Sequence, residues 1–169
     1  TMDRSRISVI LGVTSAQELL FSMVSRLQRP VWVKSLREAG IPEDEVQDAC
    51  ARIASHYVPW QEASFPGLLG NVVAGRIANR LDLMGPAFTV DAACASALLA
   101  IEIGVRDLQS HSCDLALVGG ANVNAPLPTL GLFCQLGALS RKEQIRPFDK
   151  DADGTILGEG MGMIVLKRR

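Results

Sequence analysis

Residues 87–120, AFTVDAACASALLAIEIGVRDLQSHSCDLALVGG, decide the fold. Residues 87–91 (AFTVD) are β-branched and aromatic, the composition of a strand. Residues 95–108 (ASALLAIEIGVRDL) are apolar on most faces, with Glu102, Arg106 and Asp107 as a narrow polar strip. That pattern predicts a helix covered on several sides. Residues 115–118 (LALV) form a continuous apolar run closing at Gly119-Gly120, which predicts a strand covered on both faces. Strand, helix and strand at this spacing make a βαβ unit, and the chain is of the α/β class.

The flanking sequence extends this unit. Residues 8–13 (SVILGV) read as a further buried strand. Helical spacing runs over 15–27 and stops before Pro30, and 31–39 add another turn or two closed by Gly40 and Pro42. In 43–56 (EDEVQDACARIASH), Val46, Ala49, Cys50 and Ile53 recur at i, i+3, i+4 and i+7. The acids gathered at the start of that segment suit the positive end of a helix dipole. Residues 58–70 (VPWQEASFPGLLG) hold two prolines and two glycines and read as a loop, and 71–79 return to helical character. Residues 129–136 predict a helix, and 161–166 (MGMIVL) a final strand.

Composition narrows the function classes. The chain has 169 residues, 48% hydrophobic, with 17 Lys+Arg against 18 Asp+Glu. A formal net charge of −1 gives no bulk attraction to nucleic acid or anionic membrane. The apolar runs are interrupted well before membrane-spanning length. Cys50, Cys94, Cys113 and Cys134 never fall in a CxxC pair, which argues against a disulfide scaffold, a zinc site or a redox motif. A reduced, cytoplasmic protein is the expectation.

One residue carries chemistry. Cys94 sits in DAACASA, where a strand hands over to a helix. A thiol in the first turn of a helix meets the positive end of the dipole and unpaired N–H groups, which favour the nucleophilic thiolate. Ala92, Ala93, Ala95, Ser96 and Ala97 leave room for a substrate, and a tight strand-to-helix turn projects its side chain outward. Local sequence leaves a second reading open, a buried structural cysteine packed among alanines.

The runs VDAACASALLAIEIGVRDL, LALVGGANV and ALSRKEQIRPFDKDADGTILGEGMGMIVLKR, in that order, resemble the β-ketoacyl synthase (ketosynthase) domain of type I polyketide and fatty-acid synthases. The stretch VPWQEASFPGLLGNVVAGRIANRLDL is similar to the polyunsaturated-fatty-acid and glycolipid synthase branch of iterative enzymes. The resemblance implies a thiolase-like α/β/α/β/α fold built from two similar halves, of which residues 1–169 cover mainly the N-terminal half. It implies that the chain is an internal fragment, without an opening strand motif and without the later half that carries two catalytic histidines and a lysine. It implies that Cys94 accepts the acyl group, and that a decarboxylative Claisen condensation with a malonyl thioester follows. The partner implied is an acyl carrier protein presenting phosphopantetheine thioesters, with no cofactor or metal bound directly. A homodimer is implied through the strand from Phe88 to Asp91. His56 and His111 lie in no matching motif and read as solvated helix ends, so the fragment alone is expected to be inactive. Thr155 stands where many elongating relatives carry an aromatic residue, which leaves the pocket shape open. Alternatives are a thiolase-type enzyme using coenzyme A thioesters and a non-catalytic partner resembling a chain-length factor. The segment RPFDKDADGTILGEG argues against the first and Cys94 against the second.

Other motifs yield to simpler readings. Asp149, Asp151, Asp153 and Gly154 open like a calcium loop, but Glu159 falls one residue before the closing position and Pro147 spoils an entering helix. An acid-and-glycine turn bonding local backbone is the expectation. Gly158, Gly160 and Gly162 precede a strand, the wrong order for a dinucleotide loop. Cys50, Cys113 and Cys134 read as small buried hydrophobes, and Trp32 and Trp60 as packing residues, with a loop near a dimer or carrier-protein surface as the alternative for Trp60. Arg141, Lys142 and Arg146 read as a solvated basic loop.

Overall fold

The structure, a computed structural model, describes residues 2–14, 17–62, 64–122 and 127–169. Residues 15 and 16, which open the first expected helix, and Ala63 in the expected loop lie outside them, as does Val123 of the LALVGGANV run. In chain order the elements are β1 (Ile7–Gly12), α1 (Gln17–Leu27), α2 (Arg29–Glu38), α3 (Glu43–Ser55), α4 (Ser64–Leu68), α5 (Asn71–Arg80), β2 (Ala87–Val90), α6 (Ser96–Gln109), β3 (Leu115–Asn122), α7 (Leu127–Gln135) and β4 (Gly160–Lys167). They fall into two compact units, Thr1–Thr14 with Asn71–Arg169, and Ser15–Gly70.

The first unit is a four-stranded sheet in the order β2-β1-β3-β4. β1 pairs in parallel with β2 (Ile10 opposite Phe88) and with β3 (Ile10 opposite Val118), while β4 closes the far edge antiparallel to β3. The βαβ unit is therefore present, with β1 lying between its two strands. Every residue of β1 is buried, the polar Ser8 included, as expected of a mostly apolar strand covered on both faces. Its side chains divide by the period of two. Ile10 joins Ala100, Leu108, Cys113, Ala116 and Val118 beneath α6. Val9 and Leu11 pack with Ala74 and Ala78 of α5 on the other face. Val9 and Ile10 are fully buried, each worth about 1.5–3 kcal/mol of apolar transfer.

Helix α6 meets the sheet along Ser96, Ala100, Gly104 and Leu108, a stripe of mostly small residues at every fourth position. Small side chains let the axis come close: a Cβ on Gly104 would lie 2.6 Å from Val118 Cγ1. Two sequence expectations change here. The helix is buried along this one stripe rather than on several sides, and Leu98 is 71% exposed. β3 continues through Gly119-Gly120 to Asn122, and Leu115 and Leu117 are only half-buried. Glycine does not end the strand because the antiparallel ladder with β4 continues through it to Asn122, and a Cβ on Gly119 would run into the Gly162 carbonyl.

At the end of the sheet where β1 and β3 begin, Asp114 is held from two sides. Arg6 donates from Nε to Oδ2 at 2.6 Å and from Nη2 to Oδ1 at 3.0 Å. Arg168, just after β4, also donates to Asp114, and its Nη1 donates to the Leu108 carbonyl at 2.7 Å. These guanidinium hydrogen bonds, Arg6 first and Arg168 second, pull the Asp114 carboxyl down to about 2.

The second unit comprises α1 to α4. Val46 and Cys50 are fully buried, one turn apart on α3 as the spacing predicted. Pro30 lies in the first turn of α2, where its missing N–H costs nothing. Arg37 donates to both oxygens of Glu43 at 2.8 and 2.7 Å, tying α2 to the start of α3. Trp32 stacks on Tyr57 with ring centroids 6.2 Å apart. The expected loop over 58–70 contains α4, a correction with a local cause. Pro66 and Gly67 suppress the helical reading, yet Pro66 is only the third residue of α4, inside the first turn. Among the described residues no helix is long and apolar enough to cross a membrane.

Candidate active site

The sheet ends facing away from Asp114 are the carboxyl ends of the parallel strands β1, β2 and β3, and the amino end of α6 stands over them. In open α/β sheets this is where ligands bind. A Cβ on Gly12, the last residue of β1, would lie 2.5 Å from Ala97 N and closer still to the Ser96 carbonyl carbon. A Cβ on Gly120 of β3 would lie 2.8 Å from Ala97 Cβ. These two glycines, paired in register, form a floor of bare backbone under the first turn of α6.

The chain reaches that turn through a sharp corner. After β2, Asp91 Oδ1 accepts the Ala93 N–H at 2.9 Å. Ala93 adopts φ +50°, a left-handed conformation costing a residue with a Cβ about 1–2 kcal/mol. Residues Ala93–Ala95 then form one 3-10 turn that runs directly into α6. Ser96 Oγ accepts the Ala92 N–H at 2.9 Å and donates to the Ala93 carbonyl at 2.6 Å. Cys94 rides on this corner and is exposed, and Ala92, Ala93 and Ala95 around it are exposed as well. Of the two readings the local sequence left open, burial among alanines is the one this geometry does not match.

The other sequence-derived residues lie as follows. Cys50 and Cys113 are buried, whereas Cys134 is exposed on α7, contrary to the expectation of a small buried hydrophobe. Gly131, Leu132 and Gln135 around it are exposed as well, so that stretch of the helix leaves the cysteine uncovered. Trp60 is 56% exposed rather than packed. His56 caps the end of α3 and His111 follows α6 at φ +59°, both exposed, as expected of helix ends. Asp149 Oδ1 accepts the Asp151 N–H at 2.8 Å, and Asp153 accepts from Ser140 Oγ at 2.7 Å and the Arg141 N–H at 3.1 Å. The acids thus serve backbone and hydroxyl donors of the turn, and the Ser140 hydrogen bond lowers the Asp153 pKa. Thr155 pairs with Leu139, exchanging backbone hydrogen bonds with Ala138 and Ser140. Gly154 between them has φ +150° and leaves no room for a Cβ, which would lie 2.6 Å from the Leu139 carbonyl carbon.

Sequence reasoning missed Gly12 and the hydroxyl of Ser96. The signal for Ser96 was its place in DAACAS, a lone polar residue one turn beyond an aspartate in an otherwise alanine-rich corner.

Comparison with known proteins identifies the family and the fold. The family model described as "Beta-ketoacyl synthase, N-terminal domain" matches residues 1–169. A polyunsaturated fatty acid synthase protein of Thraustochytrium sp. is 34% identical over 166 residues, 98% of this chain and 6% of that protein. A phenolphthiocerol/phthiocerol polyketide synthase protein of Mycobacterium tuberculosis is 35% identical over 156 residues, 85% of this chain and 8% of that protein. Among solved structures, the ketosynthase from module 6 of the bacillaene synthase of Bacillus subtilis superposes with a TM-score of 0.67 at 26% identity, covering 99% of this chain and 23% of that one. A β-ketoacyl synthase from Burkholderia phymatum shares the fold with a TM-score of 0.68 at 23% identity, covering 100% of this chain and 36% of that one. The chain therefore spans a small part of the length of each relative. Its α/β sheet has the thiolase-like ketosynthase fold, and the chain belongs to the β-ketoacyl synthase family, as part of the N-terminal domain.

Proposed function

We propose that this chain is the nucleophile-bearing part of a ketosynthase in an iterative polyketide or polyunsaturated-fatty-acid synthase, and that Cys94 accepts the growing acyl group. One observation carries the reading: an exposed thiol on a strained corner at the amino end of α6, over the carboxyl ends of three parallel strands. In the first half-reaction the Cys94 thiolate attacks the carbonyl of an acyl thioester on the phosphopantetheine arm of an acyl carrier protein. A new C–S bond forms, the old one breaks, and the carrier sulfur leaves as a thiolate. The backbone N–H of Cys94 supplies one donor to the transient oxyanion. In the second, a malonyl-carrier thioester loses carbon dioxide, and its carbanion attacks the Cys94-bound carbonyl. The extended chain leaves on the carrier and the thiolate is regenerated.

Decarboxylation calls for groups beyond these residues, since both histidines of the chain sit at exposed helix ends. A steady-state condensation assay on residues 1–169 alone is expected to show no turnover. Homodimer formation through β2 fits its position at the edge of the sheet, where its outer backbone groups are open to a second strand.

The test is alkylation by iodoacetamide or cerulenin, read by peptide-resolved mass spectrometry. Cys50 and Cys113 are buried, so exposed Cys134 is the informative reference. Cys94 is expected to react about ten-fold faster than Cys134. Equal rates at the two exposed thiols would remove the activated nucleophile and the reading with it.

A further inference from the structure

A left-handed alanine persists only where its surroundings over-determine it. At Ala93 the determinant is visible. Ser96 Oγ brackets the corner, accepting the N–H of Ala92 and donating to the carbonyl of Ala93, the peptide groups on either side of the strained φ. The hydroxyl is itself fixed, because Ser96 is 6% exposed and its backbone rests on the bare floor at Gly12. Asp91 adds a hydrogen bond to the Ala93 N–H from the strand side. The hydroxyl is thus satisfied entirely within the corner that carries Cys94.

We propose that Ser96 is a positioning residue for Cys94, its hydroxyl holding residues 92–93 in the strained corner that sets the thiol at the amino end of α6. This rests on the reading of Cys94 as the nucleophile. The role follows from mechanics: without the bracket, the corner relaxes toward ordinary negative φ, and the sulfur leaves its place before the helix. Glycine at 93 accepts φ +50° without a Cβ penalty, so it lessens the dependence on the bracket.

The experiment measures iodoacetamide alkylation of Cys94 relative to Cys134 in the full-length protein, by peptide-resolved mass spectrometry well below each variant's thermal midpoint. The variants are Ser96→Ala, Ala93→Gly and the double Ala93→Gly/Ser96→Ala. Ser96→Ala is expected to lower the Cys94:Cys134 ratio about ten-fold, and the double variant to recover most of that loss. A residue needed only for stability would lower the thermal midpoint and leave the ratio unchanged. An unchanged ratio in Ser96→Ala, with the wild type still selective for Cys94, overturns the positioning role and leaves the nucleophile standing. Failure of Ala93→Gly to restore the ratio in the double variant also overturns it. A wild type without preference for Cys94 overturns the nucleophile reading and this inference together.

Discussion

Gly12 lies directly beneath Ser96, so close that the position admits no side chain: a Cβ there would lie within 2.5 Å of Ala97 N and nearer still to the Ser96 carbonyl carbon. The end of the central strand is thus the seat of the helix that carries the candidate nucleophile. Both obstructing groups are backbone, which cannot turn aside as a flexible side chain does. Gly12→Ala is expected to lift the first turn of α6 and destabilise the fold by about 1–3 kcal/mol. Denaturant titration reads the loss, and stability equal to wild type would contradict the close approach.

Gly104 and Val118 offer a test in which one substitution changes sign. A methyl at 104 gains about 1 kcal/mol of helix propensity but would meet Val118 Cγ1 at 2.6 Å. Gly104→Ala is therefore expected to destabilise the wild type by about 1–3 kcal/mol. Val118→Ala removes the obstructing methyl, and on that background Gly104→Ala is expected to stabilise. The remaining neighbours, Ala116 Cβ at 3.4 Å and Leu166 Cδ1 at 3.5 Å, are at ordinary contact distance. A double-mutant cycle by chemical denaturation measures the coupling, and additive single effects would refute the contact.

The contrast between residues 87–120 and the corner inside them shows what the sequence made legible. The βαβ unit was readable because its periods are local: AFTVD, the apolar helix and LALV each declare themselves within a few residues. The order β2-β1-β3 was not, because Ile10 meets Phe88 and Val118 only through pairings far apart in the chain. Cys94 could be singled out by its residue type and its place between strand and helix. The bracket from Ser96 and the positive φ of Ala93 could not, since alanine carries no propensity for that conformation. Gly12 drew no reading of its own within the run 8–13, although its lack of a side chain is what lets α6 settle onto the sheet. Cys134 was misjudged because residue type alone does not say whether a neighbour lies within reach.

Gly75 is the opposite case to Gly12. It sits in the interior of α5, is exposed, and a Cβ there would meet nothing within 4 Å. The backbone entropy of glycine is then an uncompensated cost. Gly75→Ala is expected to stabilise by about 0.5–1 kcal/mol, read as a higher denaturation midpoint with unchanged slope. A lower midpoint would mean that this face of α5 is not open.

Asp114 links acid stability to the end of the sheet away from Cys94. Its carboxyl titrates at about 2 in the folded protein instead of the ordinary 3.8, because Arg6 and then Arg168 hydrogen-bond its charged form. A depressed folded value means that the unfolded chain takes up the proton first as pH falls. The stabilisation is therefore complete above about pH 4 and is lost as pH drops from there through 2. Partial exposure of all three side chains lets solvent screen it. Asp114→Asn is expected to lower stability at neutral pH and to flatten the pH dependence between 4 and 2. Glu43, held at about 2 by Arg37 and Gln47, keeps its own contribution in the same window, so the dependence shrinks without vanishing. Denaturant titrations of both proteins at pH 2, 3, 4 and 7 provide the comparison. Parallel stability curves for wild type and Asp114→Asn would show that the two arginines leave the folding equilibrium indifferent to this carboxylate.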